Sequence, residues 1–271
     1  MPKFKRNGVE LHYELDGSGP PVVYATGIGD HSNSYFSQVF RKKFSEKHTV
    51  LVVDNRGSGQ TVTSEGATAT FEDMADDIVA ILDHHGLGST HLLGISMGGM
   101  IALTMALYHP HRVRSQIVAV SAAHQPYPSR SFFFLDTQRM MQDAGVTNEL
   151  FLRVFLMACW GEEPFRNSDL VNFAINAPPD PLVQTRDGYE LQIAAMKNYD
   201  VRERLGEISQ PTLIIASPED YLEPPPAQQE LLAGMPGAEL REYPGGHAFM
   251  MLPQNLEPFA NEVLAFWEQH S

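Results

Sequence analysis

An apolar run that leads directly into Gly94-Ile95-Ser96-Met97-Gly98 constrains the fold of this chain more than any other feature. Residues 91–93 suit the end of a buried strand, and residues 100–108 suit an apolar helix. A sharp turn between such a strand and helix has no room for Cβ atoms two residues on either side of its tip, which glycine satisfies. The pattern therefore predicts a nucleophile elbow with Ser96 exposed at the tip of the turn.

The residue after this tip has a predicted role of its own. The backbone N–H of Met97 would open the following helix and point toward negative charge that develops beside Ser96. Met97 is therefore predicted to supply half of an oxyanion hole. The alternative is a glycine-rich turn with an idle serine, and it requires the matching strand and helix patterns on either side to be coincidental.

Short apolar runs alternate with helical patterns along much of the chain. Residues 71–82 have apolar side chains at helical spacing, with Thr70 as the candidate N-cap and Gly86 as the stop. Such alternation predicts an α/β fold with a mostly parallel central sheet flanked by helices, whose chemistry lies in loops at the carboxyl ends of the strands. The predicted strands are 9–15, 22–25, 49–53, the run before Ser96, 116–120, 211–216 and 238–243.

Strand patterns are missing between residues 122 and 208. Helical patterns at 132–141, 150–160 and 189–197 are rich in Phe, Met and Leu. We expect residues 122–208 to form a helical cap inserted into a core made of residues 1–121 and 209–271. A cap beside the active-site loops would cover a pocket, exclude water and select the substrate, although most of its apolar side chains would pack against one another.

A serine hydroxyl needs a base to remove its proton and an acid to orient that base, and both follow Ser96 along the chain. His247 stands on a glycine-rich loop directly after the last predicted strand and is the predicted base. Asp220 lies in a carboxylate-rich loop after the preceding strand and is the predicted acid, with Glu219 and Glu223 as competing candidates. The chain order serine, acid, histidine is the one that accompanies such an elbow.

With these residues the chain resembles the α/β-hydrolase superfamily over essentially its whole length apart from the cap. Gly94 to Ile101 is similar to the elbow of 3-oxoadipate enol-lactonase-like hydrolases and related carboxylesterases, and Asp54 to Gly59 resembles the D-x-R-G-x-G loop of the superfamily. We interpret Arg56 in that loop as part of a structural ion pair rather than as a catalytic residue. The resemblance implies the α/β-hydrolase fold with an inserted cap.

The resemblance also implies a second oxyanion donor. In the superfamily the loop after the strand at 22–25 carries the residue whose N–H completes the hole, and in this chain that residue is Ile28, with Met97 as its partner. Thr26 stands where the superfamily usually has histidine, so the hydrogen bonds that shape this loop must differ. A backbone donor does not depend on the side chain that it carries.

Together these residues predict a serine hydrolase that cleaves a carboxylic ester or lactone by acyl transfer, with no cofactor and no metal. The same triad would also serve a C–C bond hydrolase or a cofactor-free perhydrolase, and the same fold would serve a ligand receptor with slow turnover. The sequence leaves these alternatives open.

Composition limits the partners. The formal net charge of −14 argues against nucleic acid and anionic membrane surfaces, and it favours a small-molecule acyl substrate that is neutral or weakly charged. The single cysteine excludes an internal disulfide framework, and no signal sequence or membrane-spanning run is present, so we expect a cytoplasmic protein. The oligomeric state is left open.

Overall fold

A computed structural model describes residues 3–64 and 66–271, which contain a nine-stranded sheet. The strands lie in the order β1-β2-β4-β3-β6-β7-β8-β9, and β5 pairs with β2. Neighbours from β4 to β9 are parallel, whereas β2 pairs antiparallel with β1, β4 and β5. The predicted mostly parallel sheet is confirmed. The strands are β1 (Lys3–Arg6), β2 (Val9–Gly17), β3 (Pro21–Ala25), β4 (Thr49–Val53), β5 (Val62–Thr63), β6 (Thr90–Ile95), β7 (Val113–Ala119), β8 (Thr212–Ala216) and β9 (Glu239–Glu242).

The helices connect these strands and begin at recognisable caps. Thr70 and Asp73 form a capping box at the start of α2, and Gly86 follows the helix end with φ of 65°, as the sequence predicts. The helices are α1 (Tyr35–Phe44), α2 (Phe71–His84), α3 (Met97–Tyr108), α4 (Arg130–Asp143), α5 (Asn148–Cys159), α6 (Ser168–Ile175), α7 (Arg186–Lys197), α8 (Pro225–Gly234) and α9 (Pro253–Gln269).

The sheet has two buried faces because successive side chains of each central strand point in opposite directions. In β3, Val22 and Tyr24 pack with α1 and α9, whereas Val23 and Ala25 pack with α2 and α3. The same alternation recurs in β4, β7 and β8. The sheet is therefore covered by helices on both sides, which leaves the loops at the strand ends to carry the chemistry.

Helix α3 lies at the centre of the molecule, and every residue from Met97 to Leu107 is buried. A helix that is apolar all round belongs in a core, because it has no face to present to water. None of the described helices combines the length and the apolarity that crossing a membrane requires.

The chain between β7 and β8 forms the α4–α7 segment, which we define by its four helices. Its two ends lie side by side, because His124 and Asp200 form an antiparallel bridge and the Val201 N–H donates to the Ala123 carbonyl at 2.9 Å. Three of its helices match the sequence patterns to within a few residues. The fourth, α6, has only eight residues and was not predicted.

Candidate active site

Ser96 lies at the tip of a sharp turn between β6 and α3. Its φ and ψ are 55° and −122°, a conformation that costs a non-glycine residue roughly 1–3 kcal/mol. A Cβ at Gly94 would overlap the Gly98 carbonyl, and a Cβ at Gly98 would overlap the Ala25 carbonyl of the neighbouring strand. The two glycines are therefore required by close backbone contacts, as the sequence predicts.

Three polar side chains from separate loops meet at this turn. The Ser96 Oγ lies 3.0 Å from the His247 Nε2, and the His247 Nδ1 lies 2.8 Å from the Asp220 Oδ2. The other carboxylate oxygen of Asp220 accepts the backbone N–H groups of Leu222 and Glu223 at 2.8 and 2.9 Å. A buried carboxylate that accepts three hydrogen bonds is satisfied as an anion, and it fixes the imidazole with Nδ1 protonated and Nε2 free to accept.

Burial and charge act in opposite directions on the pKa of His247. Burial lowers the pKa, but the charge of Asp220 and its hydrogen bond raise it, and the net result is a pKa above the ordinary value. The imidazole is thus a stronger base than one in water. A base next to a hydroxyl is the arrangement that turns a serine into a nucleophile.

The two competing carboxylates have other partners. Glu219 accepts the Gly245 N–H at 2.7 Å and so braces the loop that carries His247. Glu223 is buried and accepts a hydrogen bond from the Gln125 side chain. Burial raises the pKa of Glu223 to about 8, so it is protonated at neutral pH. Among the described carboxylates, Asp220 alone hydrogen-bonds to His247.

The His247 loop is held by the α4–α7 segment as well as by the sheet. The Ala248 N–H donates to the Cys159 carbonyl at 2.9 Å, and the Gly161 N–H donates to the Gly245 carbonyl at 3.1 Å. Gly246 has φ of 85°, and a Cβ there would meet the backbone of residues 159–161. The sequence showed the glycine pair at 245–246 but not the segment against which it packs.

The loop after β3 passes beside Ser96. A Cβ built at Gly27 would lie 3.5 Å from the Ser96 Cβ. Within the described chain, the backbone N–H groups of Ile28 and Met97 donate to no protein acceptor. The Thr26 hydroxyl donates to the Asp30 carbonyl at 3.4 Å, so this loop is shaped by a threonine as the sequence implied.

Arg56 forms a buried ion pair. Its guanidinium donates to both carboxylate oxygens of Asp77 in α2, at 2.7 and 2.9 Å, and to the Thr68 carbonyl at 2.7 Å. Both side chains of the pair are almost wholly buried. Arg56 therefore fixes its loop to α2, in agreement with its interpretation as a structural residue.

Sequence reasoning missed Gln192, a wholly buried residue of α7 that hydrogen-bonds to the backbone of Gly29 and of Arg56. The available signal was an amide between Leu191 and Ile193 in an otherwise apolar stretch of helix. A buried amide needs partners for both its oxygen and its nitrogen, and the sequence does not show where they lie.

The described residues offer no metal site, and the cysteine beside the active site is unreactive. Residues 3–64 and 66–271 bring together no three His, Cys, Asp or Glu side chains that could hold a metal ion. Cys159 is buried, and this burial, together with the charge of Asp220, raises the pKa of its thiol. It therefore packs as a small apolar residue.

The chain matches a known protein family and several named relatives. Residues 20–253 match the family described as alpha/beta hydrolase fold. A putative carbamate hydrolase RutD of Variovorax paradoxus is 31% identical over 245 residues, which cover 88% of this chain and 89% of the relative.

Solved structures share the architecture over the whole length. MGS-M2, an alpha/beta hydrolase enzyme from a Medee basin deep-sea metagenome library, has a TM-score of 0.81 and 26% identity, and the match covers 100% of this chain and 98% of that one. The enol-lactonase of Burkholderia xenovorans LB400 has a TM-score of 0.81 and 21% identity, with 98% and 100% covered. The likeness therefore includes the α4–α7 segment as well as the sheet.

Proposed function

The chain belongs to the alpha/beta hydrolase fold family of hydrolases, and we propose that it cleaves a carboxylic ester or lactone by acyl transfer to Ser96. The observation that carries the proposal is the line of hydrogen bonds from the Ser96 Oγ through the His247 imidazole to the Asp220 carboxylate. In this proposal the three residues are the nucleophile, the general base and the acid that orients the base.

The first half of the reaction acylates the serine. The His247 Nε2 takes the hydroxyl proton while the Ser96 Oγ bonds to the carbonyl carbon of the substrate. The carbonyl oxygen becomes an oxyanion, for which the free N–H groups of Met97 and Ile28 are the proposed donors. When the tetrahedral intermediate collapses, its bond to the leaving oxygen breaks, and protonated His247 returns the proton to that oxygen.

The second half releases the acid. A water molecule gives one proton to the His247 Nε2 and bonds to the acyl carbon, and a second oxyanion forms in the same hole. The bond to the Ser96 Oγ then breaks, and the serine recovers its proton from the imidazole. Asp220 keeps the same imidazole tautomer throughout and stabilises the imidazolium of each half.

A neutral or weakly charged substrate fits the charge of the chain. Acidic side chains outnumber basic ones overall and also within residues 122–208, so the chain offers no excess of cations to an anionic acyl group. We propose that residues 122–208 are a cap over a core of residues 1–121 and 209–271. The two backbone hydrogen bonds between residues 159–161 and the His247 loop support this arrangement, because they join the segment to the site.

Carbamate hydrolysis is the second candidate. Several curated relatives at 27–31% identity are named putative carbamate hydrolase RutD, and they match this chain over 85% of its length or more. A carbamate presents a carbonyl that the same serine could attack, with an oxygen on one side and a nitrogen on the other. The hydrogen-bonded line of Ser96, His247 and Asp220 supports this candidate as much as the ester proposal. Only a comparison of substrates can therefore distinguish the two.

The test is a substrate panel with purified wild type and Ser96→Ala. The panel holds p-nitrophenyl acetate and butyrate, γ-butyrolactone, a p-nitrophenyl carbamate, a dienone for C–C cleavage and a peroxide-dependent halogenation assay. Loss of the nucleophile should lower turnover on the order of a million-fold. Ser168→Ala, at an exposed serine of α6, is the matched control and should keep wild-type rates.

The outcome of the panel identifies the reaction. Ester or lactone turnover that requires Ser96, with an acyl group found on that residue by mass spectrometry, supports the proposal. Faster turnover of the carbamate supports the second candidate. Turnover that survives in Ser96→Ala contradicts both, since each depends on this hydroxyl. Labelling of Ser96 without release of product indicates a slow receptor instead.

A further inference from the structure

Gln192 in α7 joins the loop after β3 to the loop after β4. Its Oε1 accepts the Gly29 N–H at 3.0 Å, and its Nε2 donates to the Arg56 carbonyl at 2.9 Å. We propose that Gln192 is a positioning residue that holds the loop of Gly27 to Gly29, so that the Ile28 N–H points at the reacting carbonyl oxygen. This inference rests on the proposed function.

The network around this amide admits only one orientation. The Gln184 Nε2 donates to the Gln192 Oε1 at 2.7 Å and to the Gly57 carbonyl at 2.9 Å. The Gln192 oxygen thus receives two N–H groups, and its nitrogen faces a carbonyl. If the amide were reversed, donors would face donors and a carbonyl would face a carbonyl. The side chain is also wholly buried, so water cannot replace a lost partner.

One of the two loops that Gln192 joins, the loop of Arg56, is fixed to the core. The backbone of Arg56 cannot move freely, because the guanidinium of the same residue is bound to both oxygens of Asp77 in α2. The start of α7 is equally constrained, since Gly57 and Gly188 approach so closely that a Cβ on either would overlap the backbone of the other. Gln192 therefore links the Gly29 loop to a part of the molecule that is held in place.

The other loop, from Gly27 to Gly29, has few restraints of its own. The loop has glycines on both sides of Ile28, and Gly29 has φ of 70°. Two hydrogen bonds that close this loop are long, at 3.3 Å from the Asp30 N–H to the Gly27 carbonyl and 3.4 Å from the Thr26 hydroxyl to the Asp30 carbonyl. Ile28 thus lies between Gly27, which passes close to Ser96, and Gly29, whose N–H donates to Gln192.

The kinetic consequence follows from where the Ile28 N–H would act. A donor that bonds to the oxyanion stabilises the transition state more than the bound substrate, so its displacement lowers kcat and leaves KM nearly unchanged. Removing an oxyanion donor outright costs roughly 100- to 1000-fold in kcat. A donor that is displaced rather than removed should cost less in kcat. A second hydrogen bond near the loop, from the His31 Nε2 to the Asp180 Oδ2 at 2.9 Å, also remains and limits the displacement.

The experiment compares Gln192→Met with Gln116→Met in the full-length protein. Methionine keeps the length of the side chain and removes all three hydrogen bonds, to Gly29, Gln184 and Arg56. Gln116 is an equally buried glutamine of β7 that donates to the Thr212 hydroxyl at 3.1 Å, and it measures the cost of losing a buried amide elsewhere in the sheet. The measurements are kcat and KM on the best ester of the panel, the pH profile of kcat/KM, and the Ki of a matching trifluoromethyl ketone, which forms an oxyanion on Ser96.

We expect kcat of Gln192→Met to fall roughly 10- to 100-fold, with KM within about twofold and the acid limb of the pH profile unmoved, because His247 and Asp220 are untouched. The Ki of the ketone should rise by the same factor as kcat/KM falls. Gln116→Met should keep the wild-type kcat and Ki. Folded Gln192→Met with wild-type kcat and Ki would overturn the inference, as would an equal loss in Gln116→Met.

A second variant covers the case in which Gln192→Met does not fold. Gln184→Met alters a partly exposed side chain and removes one of the two donors to the Gln192 oxygen. It should lower kcat by a smaller factor with KM unchanged, and an unchanged kcat would overturn the inference. Failure of the proposed function would give a different result, which is turnover that Ser96→Ala does not reduce. In that case the inference would be wrong as well.

Discussion

The backbone N–H of Ala248 donates to the carbonyl oxygen of Cys159 at 2.9 Å, so the residue after His247 is tied to the last residue of α5. This bond and its neighbour, from Gly161 to Gly245, connect the proposed base to the α4–α7 segment. A change in the position of that segment is therefore transmitted to the imidazole. The segment therefore contributes to the geometry of the site.

Gly246→Ala tests this contact. The substitution places a Cβ against the Cys159 carbonyl and the Trp160 backbone, at a φ of 85° that alanine adopts with strain. We expect a loss of roughly 1–3 kcal/mol in unfolding free energy, and a fall of at least tenfold in kcat as the His247 loop shifts. Thermal unfolding and ester kinetics measure the two effects.

Gly237→Ala is the matched control, because a Cβ at Gly237 meets nothing within 4 Å. It should leave kcat unchanged. Equal activity in the two variants would show that the loop tolerates displacement and that the contact with α5 does not matter for catalysis.

Asp220→Asn separates the proposed acid from its neighbours. The amide keeps the size of the carboxylate, but its NH2 group would face the His247 Nδ1 and favour the wrong imidazole tautomer. We expect kcat to fall by roughly 10⁴-fold, the loss known for this change in another serine hydrolase. Glu219→Gln can still accept the Gly245 N–H and should keep most of the activity. A larger loss in Glu219→Gln would make Glu219 the acid.

Local patterns in the sequence were enough to predict the central strands of the sheet, the elbow and the three residues that meet there. The alternation of side chains along a strand indicates which face is buried, and the glycines at 94 and 98 indicate a turn that excludes Cβ atoms. Both patterns can be read from a short stretch of the sequence. The positions of Asp220 and His247 followed from strand ends, because parallel strands bring their carboxyl ends to one edge. The sequence favoured Asp220 over Glu219 and Glu223, and Asp220 is the carboxylate that contacts the histidine.

The missed features depend on contacts between distant segments. The Gln192 amide bonds to residues 29 and 56, more than a hundred positions away, and nothing in α7 alone indicates those partners. The docking of residues 159–161 on the His247 loop is made by backbone groups, which every residue has. Short elements such as β1, β5 and α6 were missed because four, two and eight residues carry too little periodicity.

Glu223→Gln should change how stability depends on pH. Burial raises the pKa of Glu223 to about 8, so the stability from its bound proton is complete below the ordinary value of 4.5 and is lost as pH rises through about 8. Glutamine mimics the protonated acid at every pH. We expect the variant to gain at least about 1 kcal/mol over the wild type between pH 5 and pH 8.5, measured by urea unfolding.

Glu46→Gln, at an exposed carboxylate, is the control for that experiment and should follow the wild type at both pH values. If Glu223→Gln and the wild type lost stability equally between pH 5 and pH 8.5, the carboxyl group would be ionised in the folded protein. Ester turnover should persist in Glu223→Gln, because Glu223 does not hydrogen-bond to His247.

The pH dependence of kcat/KM should follow the protonation of the His247 imidazole. Burial lowers the pKa of His247, but Asp220 raises it more, so the acid limb of the profile should have its midpoint above 6.5. Below that midpoint Nε2 carries a proton and cannot accept one from Ser96, so the rate should fall about tenfold per pH unit. Kinetics on the best ester between pH 5 and pH 8.5, with circular dichroism to confirm folding at each pH, measure this limb. A midpoint at or below 6.5 would mean that burial outweighs the carboxylate at this site.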